Sequence, residues 1–213
     1  MSTIKLSVKS FRNRAGSTSW RVSGMLHGER IRKNFKDRLD VYVANESGSS
    51  VIKFKASDQT AQGSITIPAP RGMCFDGATL WVASNSQGAL VAVNPASVSV
   101  IGSIPVGNAP VDCCYDGNGY IWVANQGANS VSKVSVSTMS VVGTYPVGTS
   151  PVAICTDGQF IWTADSASNT ATQLDMDGNK IGQYAIGASP AGICFDGINI
   201  WVTTKAGKAL YRR

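Results

Sequence analysis

The sequence predicts an all-β protein: a β-propeller with blades of about 40 residues and four strands each, preceded by a short, basic, three-stranded β-sheet. Three observations lead to this fold class. Tryptophan recurs with a period of about 40 residues, an Asp-Gly pair has a fixed place in each period, and no segment has helical periodicity. A single four-stranded blade cannot bury both of its faces, so such units are expected to stack around an axis.

Each repeat is marked by an aromatic residue and by an Asp-Gly pair five or six residues before each tryptophan. The aromatic residues are Tyr42, Trp81, Trp122, Trp162 and Trp201, and the pairs are Asp76-Gly77, Asp116-Gly117, Asp157-Gly158 and Asp196-Gly197. Because Asp-Gly favours the positive-φ turn of a tight hairpin, the pair predicts the turn between the first two strands. In the third full unit the predicted strands are Val152–Cys155, Phe160–Ala164, Thr170–Leu174 and Ile181–Ile186.

The number of blades is about five. Units begin at Pro70, Pro110, Pro151 and Pro190, and the last of these stops before its fourth strand. The unit built on Tyr42 has its second to fourth strands, and its first would fall at about residues 31–36. The units could close as a five-bladed ring, form an open part of a larger propeller, or be completed by a second copy in a homo-oligomer. These alternatives stay open.

The residues of the repeat resemble those of a known propeller family. Tyr42-Val-Ala-Asn45, the recurring Trp-Val-Ala-Asn/Ser and a Pro-x-x-(Ile/Met/Cys)-Cys-x-Asp-Gly signature resemble the YVTN-type propellers over about residues 42–213. That family is related to the NHL and streptogramin-lyase propellers. The resemblance implies the fold, and it implies little about function because such propellers serve many purposes.

The charge divides the chain near residue 40. Residues 1–40 hold ten Lys or Arg against three acidic residues, and the other 173 residues hold nine basic and ten acidic residues. We therefore predict a basic β module at 1–40 and a propeller at 41–213. The basic module contains three alternating runs, at residues 4–11, 19–26 and 30–36. Counting by twos puts its apolar residues on one face and most of its basic residues on the other.

The basic module resembles the N-terminal arm-binding domain of phage-type tyrosine recombinases, on Ser10–Arg14, Ser19–Gly24 and Gly28–Lys36. The resemblance implies duplex DNA as a partner, although the helix that covers the sheet in that family is missing from the sequence. The predicted DNA-binding residues are Lys5, Lys9, Arg12, Arg14, Arg21, Arg30, Arg32, Lys33, Asn34 and Lys36. Arg30, Arg32, Lys33 and Lys36 are expected on phosphates and Asn34 on a base edge. Two alternatives stay open: a fusion remnant whose third strand completes the first blade, and a solvated face without a partner.

The cysteines and aspartates are predicted to be structural, and no metal or cofactor is expected. Cys74, Cys114, Cys155 and Cys194 recur two residues before each Asp-Gly, which suits small apolar side chains on the inner strands. Zinc-type cysteine spacings are absent from the sequence. The Asp-Gly carboxylates are expected to bond their own turns.

The sequence favours a non-catalytic interaction platform, with an unknown protein or small ligand on the propeller. The only histidine, His27, lies in the basic module, and the loops are short, with Glu46 and Asp165 their only acids. The streptogramin lyases depend on a histidine base and acidic metal ligands, as that resemblance implies. A lyase-like propeller enzyme is the alternative. The N-terminus shows no secretory signal, so a cytoplasmic location without membrane contact is expected.

Overall fold

The computed structural model describes residues 6–12, 18–26, 29–35, 40–56, 58–205 and 210–212. For 6–12, 18–26, 29–35 and 210–212 only the backbone is described. The regular structure of these residues is antiparallel β-sheet, and the single helical element within these ranges is a short 3₁₀ turn, Gln126–Ala128. The all-β prediction is therefore confirmed. Within the same ranges, no helix combines the length and apolar character needed to span a bilayer.

The strands form six sheets, in each of which sequence neighbours pair. The N-terminal sheet contains β1 (Leu6–Arg12), β2 (Thr18–Leu26) and β3 (Glu29–Phe35). The first blade contains β4 (Asp40–Asn45), β5 (Ser50–Lys55) and β6 (Ala61–Thr66). The second contains β7 (Pro70–Phe75), β8 (Leu80–Ser84), β9 (Ala89–Asn94) and β10 (Ser99–Pro105). The third contains β11 (Pro110–Tyr115), β12 (Tyr120–Asn125), β13 (Ser130–Ser135) and β14 (Ser140–Pro146). The fourth contains β15 (Pro151–Thr156), β16 (Phe160–Asp165), β17 (Thr170–Asp175) and β18 (Lys180–Ala185), and the fifth β19 (Pro190–Phe195), β20 (Ile200–Thr204) and β21 (Leu210–Arg212).

The propeller architecture follows from how the blades stack. In the first four blades the face with the aromatic residue of the repeat, here called the aromatic face, packs on the opposite, aliphatic face of the next blade. Trp81 of the second blade lies in one cluster with Ile121 and Val123 of the third. Trp122 of the third lies in one cluster with Ile161 and Leu174 of the fourth. The inner strands also lie side by side, β7 against β11 and β15 against β19. The predicted stacking of the units is confirmed, and the indoles of Trp81, Trp122 and Trp162 lie in the contacts between blades.

The first and last blades have three described strands each. The described strands of the fifth blade are β19, β20 and β21. In the first blade, the expected inner strand coincides with β3. The backbone of β3 lies close to β4 and β7, where inner strands lie in the other blades, yet its hydrogen-bonded neighbour is β2. The division into a basic module and a propeller stays a prediction.

Candidate ligand-binding face

One end of the propeller, here called the loop face, is formed by two sets of short loops. The first set joins the second and third strands of each blade, and the second joins the outer strand to the inner strand of the next blade. Both sets lie at the same end because alternate strands run in the same direction. Their residues are 46–49, 85–88, 126–129 and 166–169 in the first set, and 67–69, 106–109, 147–150 and 186–189 in the second.

Positive backbone φ angles recur at the loop face. The residue before the first proline of each unit has a positive φ, with 42° at Ala69, 50° at Ala109, 59° at Ser150 and 56° at Ser189. Side chains with a Cβ rarely adopt this left-handed region. The carbonyl groups of these residues accept hydrogen bonds from the backbone of the neighbouring loop, as in Gln126 N to Ala109 O at 3.0 Å. Positive φ values also occur in turns at the opposite face, at Gln59, Val98 and Met139, so they belong to the turns of the repeat.

The described loop face contains an ion pair between Glu46 and Arg71. Arg71 Nε donates to Glu46 Oε1 at 2.6 Å, and Arg71 Nη2 lies 2.5 Å from the same oxygen. Both side chains are more than a third exposed. Arg71 is the second residue of an inner strand, where the other blades have Val111, Val152 and Ala191. The pair therefore places a charged donor and a carboxylate beside the start of β7 and in contact with solvent.

Asp165, the other acid noted in the loops, is buried and has a structural role. Its side chain is fully enclosed and accepts hydrogen bonds from the hydroxyl groups of Thr163 at 2.8 Å, Thr170 at 3.1 Å and Thr172 at 2.6 Å, and from the Gly148 N–H. Burial raises the pKa of this carboxyl above its ordinary value, and the three threonine hydroxyls oppose that rise. Asp165 thus joins two loops of the loop face from beneath.

The opposite face of the propeller carries the Asp-Gly turns, and these have the predicted structural role. Asp157 Oδ1 accepts from the backbone N–H of Gln159 and Phe160 in its own turn. Asp157 Oδ2 accepts from the indole Nε1 of Trp162 at 2.8 Å. The same indole bond recurs in the pairs Trp81–Asp76, Trp122–Asp116 and Trp201–Asp196. Sequence reasoning missed this bond, although the fixed Asp-to-Trp spacing was its signal.

The four periodic cysteines lie on the inner strands β7, β11, β15 and β19, as predicted, and all five cysteines have free thiols. Cys113 is buried and the other four are half-buried. Within the described ranges no group of three or more His, Cys, Asp or Glu side chains has a metal-binding arrangement.

The predicted DNA-binding residues fall into three groups. Lys5, Arg14 and Lys36 lie outside the described residues, as does His27. The strand register places Lys9, Arg21 and Asn34 in one row, and Arg32 and Arg30 at further positions on the same face. Arg12 and Lys33 fall on the alternate positions, which belong to the other face. The structure therefore brings five of the predicted residues to one face and separates two from it.

Comparisons with known proteins identify the fold. No known family profile matches the chain, and no curated protein matches it. Its structure is similar to hydrazine synthase of Kuenenia stuttgartiensis, with a TM-score of 0.71, 22% identity and 79% of this chain covered. It is also similar to virginiamycin B lyase of Staphylococcus aureus, with a TM-score of 0.70, 16% identity, 92% of this chain and 76% of that chain covered. A catalytically inactive histidine-to-alanine variant of that lyase, with quinupristin, is similar over 98% of this chain and 88% of that chain, with a TM-score of 0.68 and 12% identity.

These likenesses show that the chain has the propeller fold of the streptogramin B lyase structures. The chain spans 53% of the length of the hydrazine synthase chain. The YVTN-type and recombinase-arm resemblances are not among these findings and stay predictions.

The prediction of a non-catalytic protein is contradicted. It was drawn from short loops and from a propeller without histidine, but propellers of the same fold are lyases. Short, regular loops on this scaffold are therefore not a reason to exclude an enzyme.

Proposed function

We propose that this chain is a propeller of the streptogramin-lyase type that binds a small cyclic, peptide-like ligand on its loop face and cleaves it by elimination. Two observations support the proposal: the structural likeness to virginiamycin B lyase, including the form with quinupristin, and the exposed Glu46–Arg71 pair at the loop face. The ion pair carries the proposal, because it is an exposed pair of charges at this face and Arg71 departs from the repeat.

The chemistry assigned to the pair is that of an elimination. In such a reaction a base removes a proton from a carbon atom, a C=C bond forms as the bond to the leaving group breaks, and a cation stabilises the anion that leaves. Glu46 supplies the carboxylate that removes the proton and Arg71 the guanidinium that stabilises the anion. Asp165 is enclosed and engaged by hydroxyl groups, so it is assigned to loop support instead of proton transfer.

The test is to incubate the full chain with quinupristin and follow ring opening by liquid chromatography and mass spectrometry. Wild-type protein is expected to open the ring, Glu46→Gln to bind without turnover, and Arg71→Met to lose both. Lys55→Met is the matched control, because Lys55 forms an ion pair with Asp58 in a turn at the opposite face, with 3.2 Å between Nζ and Oδ2. An unchanged ligand with wild-type protein, or equal activity in Glu46→Gln, would overturn the proposal.

A second candidate function, binding of duplex DNA by the N-terminal sheet, is favoured by the strand register. The register gives Lys9, Arg21, Arg30, Arg32 and Asn34 positions on one face. A basic face of this kind contacts phosphates, and each contact contributes a slope of about −0.9 to the dependence of log K on log salt concentration.

This candidate has a control within the same sheet. The double variant Arg30→Ala/Arg32→Ala is expected to weaken DNA binding and to reduce the salt slope by about two contacts. Arg12→Ala/Lys33→Ala removes the same charge from the other face and is expected to leave both unchanged. Fluorescence anisotropy with a labelled duplex measures both variants. Equal loss in the two would contradict the assignment of the face, and no binding by the wild-type protein would remove this function.

A further inference from the structure

The contact between the second and third blades contains two cysteines that belong to different inner strands. Cys74 is paired across its sheet with Trp81, so it lies on the aromatic face of the second blade. Cys113 is paired with Val123, so it lies on the aliphatic face of the third blade. These two faces pack on each other, and Cys74 lies against the cluster that contains Cys113.

The repeat shows that Cys113 is an exception. The corresponding positions of the fourth and fifth blades hold Ile154 and Ile193, which are buried in the next two contacts between blades. The periodic cysteines Cys114 and Cys155 pack against the clusters that contain these two isoleucines. Cys74 packs against the cluster that contains Cys113, and Cys113 Sγ lies 3.8 Å from the carbonyl oxygen of Trp81, the residue paired with Cys74 across the sheet.

We propose that Cys74 and Cys113 form an oxidative modification site, at which a peroxide converts the two thiols into a disulfide that joins the second blade to the third. The bond would connect the inner strands β7 and β11. Cys113 directly follows Asp112, whose Oδ2 accepts from Ile154 N at 3.2 Å, so the disulfide would also restrain the strand that contacts the fourth blade.

The reaction balances with hydrogen peroxide as the oxidant. One thiolate attacks a peroxide oxygen, the O–O bond breaks, and the sulfur becomes a sulfenic acid with release of one water after protonation. The second sulfur then attacks the sulfenic sulfur, the S–O bond breaks, and a second water leaves. Two electrons pass from the two sulfurs to the peroxide. Burial raises the pKa of the Cys74 thiol well above its ordinary value, and contact with Cys113 raises it further. The site is therefore expected to react slowly at neutral pH and faster in alkaline solution.

The experiment exposes the folded full chain to hydrogen peroxide, removes the oxidant, and alkylates the remaining thiols after denaturation. Intact mass is expected to show two fewer alkylated cysteines than the five of the untreated chain. Peptide mapping needs chymotrypsin, because no Lys or Arg separates Cys74 from Cys113 between Arg71 and Lys133. The expected product joins the peptide with Cys74 to the peptide with Cys113, and it reverts with dithiothreitol.

Two variants make the result specific. Cys113→Ile introduces the residue that the next two blades use, so it is expected to fold and to lose the bond. Cys114→Ala removes the adjacent thiol and is expected to keep the bond between Cys74 and Cys113. The Tm of this variant is expected to rise on oxidation and to fall on reduction. The proposal is overturned if wild-type protein keeps all its thiols, if the bond persists in Cys113→Ile, or if it disappears in Cys114→Ala. None of these outcomes depends on ligand binding or turnover at the loop face.

Discussion

The indole Nε1 of Trp122 donates a hydrogen bond of 3.2 Å to Oδ2 of Asp116, and both side chains are buried. The other oxygen of Asp116 accepts from the backbone N–H of Asn118 and Tyr120. One carboxylate therefore closes the hairpin turn and also orients the indole that packs on the next blade. The same relation recurs in three further blades.

Trp122→Phe is expected to destabilise the protein by about 2–4 kcal/mol, because it leaves an oxygen of a buried carboxylate without its donor and opens a cavity. Trp201→Phe is expected to cost much less, because Trp201 is half-exposed and Asp196 is exposed. Urea unfolding at neutral pH compares the two. Equal losses of unfolding free energy in the two variants would contradict the view that burial increases the contribution of this hydrogen bond to stability.

Asp165→Asn is expected to remove the pH dependence of stability that this carboxyl contributes, because burial raises its pKa in the folded state. Because the folded state holds the proton more tightly than the unfolded state, the free energy of unfolding falls as pH rises from the ordinary carboxyl value through the raised one. The variant removes this slope and keeps hydrogen-bonding groups of similar shape, as Asn125 does in the third blade.

Thermal unfolding across acid and neutral pH provides the measurement, with Asp175→Asn as the control. The pKa of Asp175 is lowered, chiefly by the side chain of Asn179, so its contribution has the opposite sign. A slope that survives in Asp165→Asn would assign it to another group.

Lys133→Met is expected to destabilise the contact between the third and fourth blades by about 1–2 kcal/mol. Lys133 Nζ lies 4.2 Å from the ring centre of Tyr120 and 5.1 Å from that of Trp122, and it donates to Met176 O at 2.6 Å. Lys180→Met, at an exposed position, is the control and is expected to have little effect. Denaturant midpoints of the two variants decide the point, and similar midpoints would show that the bond between blades adds nothing.

Ala109→Gly is expected to stabilise the protein by about 0.5–1 kcal/mol, because its φ of 50° strains a residue with a Cβ. Ala92→Gly, in the interior of β9, is expected to destabilise by a similar amount. Unfolding midpoints that shift in opposite directions would support the left-handed conformation at Ala109, whereas a lower midpoint in both variants would contradict it.

The period of the aromatic residues and the Asp-Gly turns predicted the blades closely. In the fourth blade, the predicted strand at Phe160–Ala164 is observed as β16, Phe160–Asp165. The predictions succeeded because each turn and each buried indole is specified by residues a few positions apart.

The loop face was harder to predict, because Glu46 and Arg71 are 25 residues apart and meet only when two blades stack. Arg71 was nevertheless visible as a departure from the small apolar residues at its repeat position. The sequence also could not separate an exposed Glu46 from an enclosed Asp165, since burial there depends on three threonines from two strands.

The central claim is that the loop face binds the ligand. Its most direct test is a titration of isotopically labelled protein with quinupristin, followed through the backbone amide signals in nuclear magnetic resonance spectra. The claim predicts shifts concentrated at residues 46–49, 69–71 and 85–88. Shifts confined to the Asp-Gly turns at 76–79 and 116–120, or no shifts at saturating ligand, would contradict it.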